Sequence, residues 1–148
     1  MHSRMARFVK RTVDLILGSA MIVLAGVPLA LAALAIKLED GGKTIFRQQR
    51  IGKGGTPFQI LKLRTMTVMR KAPAGPDRLH RDDARITRVG RVLRKVGLDE
   101  LPQLFNVLSG TMSLVGPRPG LEFQVAQYDD FQRRRLEAKP GITSLAVV

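Results

Sequence analysis

Two adjacent carboxylates, Asp99 and Glu100, stand beside a strongly basic segment, and most of the chemistry open to this chain gathers around them. Arg94 lies on the turn before. Downstream, two prolines bracket one arginine in Gly116-Pro117-Arg118-Pro119-Gly120, which must be an irregular loop that holds Arg118 with little conformational freedom. A fixed guanidinium suits an oxyanion fork, and a helix N-terminus binds phosphate. Carboxylates next to phosphate repel it unless cations screen them, so this grouping implies a metal, Mg²⁺ held partly by substrate phosphates. Plain helix chemistry competes, because Asp as an N-cap with Glu in the first turn is ordinary. Residue types alone leave both readings open.

Composition narrows the chemistry. With no Cys, thiolate metal sites, disulfides and cysteine nucleophiles are excluded, and two His make a histidine-built zinc site a poor fit. The 148 residues suffice for one compact domain. Their 25 Lys and Arg against 12 Asp and Glu give a net charge of +13, which calls for an anionic partner: nucleic acid, acidic headgroups or phosphorylated substrates.

Several elements must position these residues. From Leu15 to Ile36 run 22 residues without a charge, a helix of about 33 Å at roughly 1.5 Å per residue, enough for a hydrocarbon core of about 30 Å. Pro28 interrupts the run, so a kink is expected there and each arm is too short to span. Arg4, Arg7, Lys10 and Arg11 precede the run, and Lys37, Lys43, Arg47, Arg50 and Lys53 follow it. Both basic flanks favour the same side of a membrane, as in a helix that enters, bends at Pro28 and returns. A straight signal anchor and a cleaved signal peptide are the alternatives.

Thr44–Ile51 and Pro57–Arg64 read as a hairpin around Gly52-Lys53-Gly54-Gly55, glycines that serve a turn or cradle a phosphate. Residues 70–82 read as a mobile loop, a lid or linker. Ala84–Val96 has helical period, with Ile86, Val89, Leu93 and Val96 on one stripe and a basic face that either is solvated or lies on acidic headgroups. A second helix starts near Asp99, which can cap it, and stops at Gly110. A last helix covers Leu121–Ala138 and ends at Pro140-Gly141. The apolar Leu145, Val147 and Val148 have no evident element to cover them, so marginal stability or a partner is expected.

In order and spacing, five runs resemble the bacterial sugar transferases, the monotopic polyprenyl-phosphate phosphoglycosyl transferases. They are Lys62-Leu63-Arg64-Thr65-Met66, Asp83-Ala84-Arg85-Ile86-Thr87-Arg88-Val89-Gly90-Arg91, the stretch from Leu98-Asp99-Glu100-Leu101-Pro102-Gln103 to Leu108, Met112-Ser113-Leu114-Val115-Gly116-Pro117-Arg118-Pro119, and Lys139-Pro140-Gly141-Ile142-Thr143. The resemblance covers nearly the whole chain from Lys10.

It implies an α+β, mostly helical fold. Residues 1–40 would form a basic segment and a re-entrant membrane helix broken near Pro28. Residues 41–148 would form a small membrane-associated catalytic domain with a short β-hairpin, at the cytoplasmic face of the bacterial inner membrane and lacking the family's C-terminal portion. Asp99 would be the nucleophile, Glu100 would assist it and help hold Mg²⁺, and Arg94, Arg118, Lys62 and Arg64 would bind substrate phosphates. The usual acceptor is undecaprenyl phosphate and the usual donor a UDP-sugar, with UMP released at the start of surface glycan or exopolysaccharide synthesis. Family members commonly carry Ser where this chain has Val27, Asp where it has Thr111, and a different run where it has Ser144-Leu145-Ala146-Val147.

Helix-start position and basic surroundings favour an ionised Asp99, ready to attack without a separate base. A truncated, catalytically impaired membrane scaffold is the rival from another class. A nucleic-acid binder rests on charge alone, since aromatics are 5% and no nucleic-acid module is recognised.

Overall fold

The computed structural model describes residues 4–67 and 85–144; the expectations for residues 70–82 and for Leu145, Val147 and Val148 lie outside them. Helix α1 (Arg4–Asp40) is followed by the antiparallel hairpin of β1 (Ile45–Ile51) and β2 (Pro57–Leu63). Then come α2 (Arg88–Val96), α3 (Gln103–Ser109), β3 (Ser113–Val115), α4 (Glu122–Ala126), α5 (Asp130–Arg133) and β4 (Gly141–Thr143). The result is mostly helical with two small two-stranded sheets.

Helix α1 is long and apolar enough to cross a membrane by length and composition. Pro28 lies inside it and does not end it, since residues on both sides stay in one helical element. Its buried positions, Asp14, Gly18, Ala25, Ala32 and Ile36, fall within a stripe of roughly 40° at 3.6 residues per turn. That stripe is where the rest of the protein packs. Ala32 and Ile36 join Leu63 and Leu93 in one core cluster, while Ile60, Val107 and Met112 form the other. The remaining surface of α1 exposes Phe8, Ile16, Val23, Leu24, Val27, Leu31 and Leu38.

Polar contacts hold both ends of α1 to the same domain. Near its start, Arg11 donates to the carbonyls of Val107 (2.6 Å) and Leu108 (2.8 Å), giving the C-terminal turn of α3 the cation its dipole favours. The buried Asp14 carboxylate accepts from Ser113 Oγ (2.8 Å) and the Leu114 amide (3.1 Å). At its other end, Glu39 accepts from the amides of Arg88 (2.7 Å) and Val89 (3.2 Å), two of the donors that the first turn of α2 leaves unpaired. Asp40 pairs with Arg64. Part of the basic flank is therefore structural glue.

The hairpin matches its sequence reading closely. Gly54 and Gly55 take positive φ (66° and 78°) in the turn, so their role there is conformational. Three other expectations need correction. The helix expected from Ala84 begins at Arg88: Ile86 instead bridges Met66, and Thr87 caps the helix by accepting from the Gly90 amide at 2.9 Å. Of its expected stripe, Ile86 and Leu93 are buried, but Val96 is exposed because Gly97 ends the helix there in the left-handed region. Asp99 caps nothing, since it sits in a separate 3₁₀ turn, Leu98–Glu100, and Pro102 begins α3 without a side-chain cap. The single last helix is broken into α4, α5 and a 3₁₀ turn, because Asp129 and Gln132 form a capping box that starts a new helix.

Helix α2 approaches the β2 exit so closely that a Cβ at Gly90 would collide with the Thr65 carbonyl. Gly90→Ala should therefore reverse the usual gain of about 0.5–1 kcal/mol for Gly to Ala in a helix. A loss of about 2 kcal/mol is expected instead, read as a lowered Tm. A Tm at or above wild type would show that the packing yields.

Candidate active site

Gly97, with φ of 73°, turns the chain out of α2 and into the Leu98–Glu100 turn, which presents both carboxylates between α2 and α3. Leu98 anchors that turn by packing on the first core cluster. Lys62 arrives from β2, Arg118 from the loop after β3, and Arg94 from the last turn of α2. On Glu100, Oε1 accepts from Lys62 Nζ at 2.7 Å and from Arg118 Nη2 at 3.0 Å. Arg94 Nε donates to Thr65 Oγ1 at 2.8 Å, and its charge acts on Asp99. The structure thus gathers Lys62, Arg94, Asp99, Glu100 and Arg118.

Arg64 is not among them. It lies just past the end of β2, outside the strand's alternation, where its side chain pairs with Asp40 and its amide donates to Thr44 O at 2.8 Å. Pro28 is likewise remote in role, being a feature of α1.

The two carboxylates titrate in opposite senses. Burial works against the ionised form of both. For Glu100, the hydrogen bonds and charges of Lys62 and Arg118 outweigh burial and hold its carboxyl below the ordinary value. For Asp99, burial prevails over Lys62 and Arg94, and neighbouring Glu100 adds to it, so the carboxyl is pushed up. From the sequence, the basic surroundings are expected to lower that value for Asp99; burial instead raises it, because the basic neighbours are present but do not fully offset desolvation.

Two residues overlooked in the sequence complete the site. Arg50 shares a hairpin face with Lys62, since the register pairs Arg50 with Phe58 and Phe46 with Lys62. Its guanidinium grips Gln48 Oε1 (2.7 and 3.2 Å) and Pro119 O (3.3 Å), and lines a crevice with Lys62, Gln103 and Arg118. Burial, then the charge of Arg118, lowers its proton affinity. Asn106 is the second. Its side chain accepts from the Leu61 amide (3.0 Å) and donates to Gln59 O (2.7 Å), clamping β2 to α3 and fixing Lys62 against the carboxylates. Period-two reading of the hairpin could have found Arg50; nothing local marks Asn106.

A half-buried carboxylate pair ringed by four cations is suited to bind a diphosphate and to present one carboxylate to it. As a metal site it offers Asp99 and the second oxygen of Glu100, neither committed to a cap or ion pair among the described residues. Two carboxylate donors fit Mg²⁺, which is commonly held by one or two carboxylates with substrate phosphates.

The family model described as bacterial sugar transferase matches residues 5–148. The chain belongs to that family. Within the bacterial sugar transferases it is 49% identical to a UDP-glucose:undecaprenyl-phosphate glucose-1-phosphate transferase of Caulobacter vibrioides, over 94% of this chain and 53% of that protein. It is 44% identical to a UDP-N-acetylgalactosamine-undecaprenyl-phosphate N-acetylgalactosaminephosphotransferase of Aeromonas hydrophila, over 95% of this chain and 34% of that protein. It is 41% identical to an undecaprenyl-phosphate galactose phosphotransferase of Salmonella typhimurium, over 96% and 33%. The chain spans about half the length of the first of these relatives and about a third of the other two.

Proposed function

We propose that this chain carries the centre of a phosphoglycosyl transferase that moves a sugar 1-phosphate from a UDP-sugar to polyprenyl phosphate. The supporting observation is the carboxylate that caps nothing: Asp99 lies half-buried within the charge of Lys62 and Arg94, while Glu100 takes the hydrogen bonds of Lys62 and Arg118. The three relatives are named for undecaprenyl phosphate and for different sugars, which suits a site built around phosphates.

In the first half-reaction an Asp99 oxygen attacks the phosphorus that bears the sugar. The bond from that phosphorus to the bridging oxygen breaks, UMP leaves with the oxygen, and Asp99 carries an acyl sugar phosphate. In the second, an oxygen of polyprenyl phosphate attacks the same phosphorus, forms the lipid diphosphate sugar and frees Asp99. Arg118, Arg94 and Lys62 offset charge on the phosphoryl oxygens. Mg²⁺, held by Asp99, Glu100 and substrate phosphates, would supply Lewis-acid charge neutralisation when bound. Donor alone should release about one UMP per active site, and release only in the presence of acceptor would overturn the two-step scheme.

Arg118 is two-thirds exposed, with one nitrogen on Glu100, so the rest of its fork is free for a phosphate. Arg118→Lys keeps the charge and loses the planar pair of donors. A fall in kcat/KM of about 10- to 100-fold is expected, the worth of one or two charge-assisted bonds. Wild-type kinetics would reduce Arg118 to loop structure.

The membrane placement is part of the same proposal. What supports it is that Lys10, Arg11 and Asp14 at one end of α1 and Glu39 and Asp40 at the other all bind one polar domain; on this reading both ends lie on one side, the cytoplasmic face that the basic flanks favour. The exposed apolar face of α1 enters the bilayer between them. Cysteines introduced as Phe8→Cys and Lys43→Cys should both react with an impermeant reagent from that side alone. Reaction from opposite sides would refute re-entry.

A further inference from the structure

A hollow of about 770 Å³ opens where the end of α1 meets the start of β1, and Lys37, Lys43, Arg47 and Arg64 line it with Ile45 and Phe46. Four cations line it with no carboxylate among the described lining residues, and Asp40 beside it is shared between Arg64 and the Gly42 amide. Arg64 is the decisive residue. Its side chain is 92% buried, yet its Nε has no hydrogen-bond partner, although a buried, unsatisfied donor costs about 1–3 kcal/mol. The chain leaves room for this guanidinium, since a Cβ at Gly42 would collide with it. Lys43 and Arg47 are exposed and make no ion pair among the described residues.

The apolar share of the lining completes the chemistry. Ile45 and Phe46 are partly exposed at the hollow, and Leu38 on the adjoining end of α1 is 77% exposed. A free anion would use the cations and leave the apolar wall wet; an anion carried on a hydrocarbon chain would use both.

We propose that this hollow is a second anion site, separate from the Asp99–Glu100 centre, which takes the phosphate of a lipid at the end of α1. The Arg64 guanidinium receives the phosphate oxygens, Lys43 and Arg47 close over them, and the lipid chain follows Ile45 and Phe46 to the apolar face of α1. The lipid part rests on the reading of α1 as membrane-embedded. A bilayer phospholipid and the polyprenyl phosphate substrate present the same phosphate chemistry.

The test is native mass spectrometry of the full-length protein in neutral detergent, titrated separately with phosphatidylglycerol, polyprenyl phosphate, phosphatidylcholine and inorganic phosphate. Retention of one phosphatidylglycerol or one polyprenyl phosphate is expected, and the preferred one names the source. The double variant Lys43→Gln/Arg47→Gln, both solvent-facing, should keep the wild-type Tm and weaken that retention at least tenfold. Arg64→Lys, which keeps the charge and loses the planar fork, should weaken it as well, and wild-type retention by that variant would overturn the role of Arg64. Asp99→Asn, inactive under the proposed function, should retain lipid like wild type, so failure of the catalytic reading and failure of this site give different results. Equal retention by wild type and the double variant, no preference for the two anionic lipids over phosphatidylcholine, or binding of inorganic phosphate as tight as that of lipid would each overturn the proposal.

Discussion

Asp99→Asn should abolish both the covalent sugar-phosphate adduct and the burst of UMP, with turnover down at least about a thousandfold. The carboxamide nearly preserves shape and removes only the nucleophilic oxygen's charge. Folding should survive, because Asp99 makes no capping bond that Asn would lose. Its raised proton affinity sharpens the test. An ionised carboxylate that is disfavoured by burial gains by forming a bond to phosphorus, and replacement by the neutral amide should leave stability unchanged or slightly higher at neutral pH. Intact-mass analysis after mixing with donor alone would show one sugar phosphate on wild type and none on Asp99→Asn. Glu100→Gln should retain the adduct but form it more slowly, since the amide weakens the grip on Lys62 and Arg118. An adduct on Asp99→Asn would place the nucleophile elsewhere, and normal turnover would return Asp99 to a structural role.

The parts of this fold that were legible in the sequence are those fixed by local chemistry. The hairpin follows from four turn residues, two of them glycines at positive φ, between apolar and β-branched runs, and its edges fall within a residue of the expected ones. The boundaries that failed were decided at a distance or by side chains reading as ordinary helix. The start of α2 is set by Glu39, some fifty residues earlier, which takes its first amides, and by the bridge of Ile86 to Met66. The long last helix was an apolar spacing without attention to Asp129 and Gln132, whose reciprocal bonds restart it. The parallel pair β3 and β4 was invisible because each strand has three residues and the register depends on the close approach of Gly116 and Gly141.

Within the site, Asp99, Glu100, Arg94 and Arg118 were legible as a group because a dyad, a basic helix and a Pro-bracketed loop converge on one chemistry. The sign of the Asp99 shift was not, because burial is a property of packing. Lys62 and Arg64 show the limit of motif reading: both match basic motif positions, yet β2 ends at Leu63, so Lys62 points from the strand to Glu100 while Arg64, beyond the strand end, pairs with Asp40. The sequence read α1 as a re-entrant membrane helix and did not show its second role: Asp14, Glu39 and Asp40 make it the frame on which β3, α2 and Arg64 are hung.

Lys62→Met should shift the acid limb of kcat/KM to higher pH and lower kcat/KM at pH 7 on the order of 100-fold, since it strips a half-buried carboxylate of one partner. The sign follows from the two carboxylates. Attack requires an ionised Asp99, so activity is full above its pKa and is lost as pH falls through it. Burial raises that pKa, and Lys62 is foremost among the charges opposing the rise. Without Lys62 the opposition shrinks, Asp99 becomes protonated at higher pH, and the limb moves up. Glu100 loses its 2.7 Å hydrogen bond at the same time. Its depressed pKa contributes stability above the unfolded carboxylate pKa that disappears as pH falls through the folded value, so the variant should lose Tm at neutral pH and lose less of it at acid pH. Lys62→Arg keeps the charge and should leave the limb near its wild-type position even if turnover falls. A higher KM for donor with an unmoved limb in Lys62→Met would make Lys62 a phosphate ligand only, and would leave Arg94 as the cation that tunes Asp99.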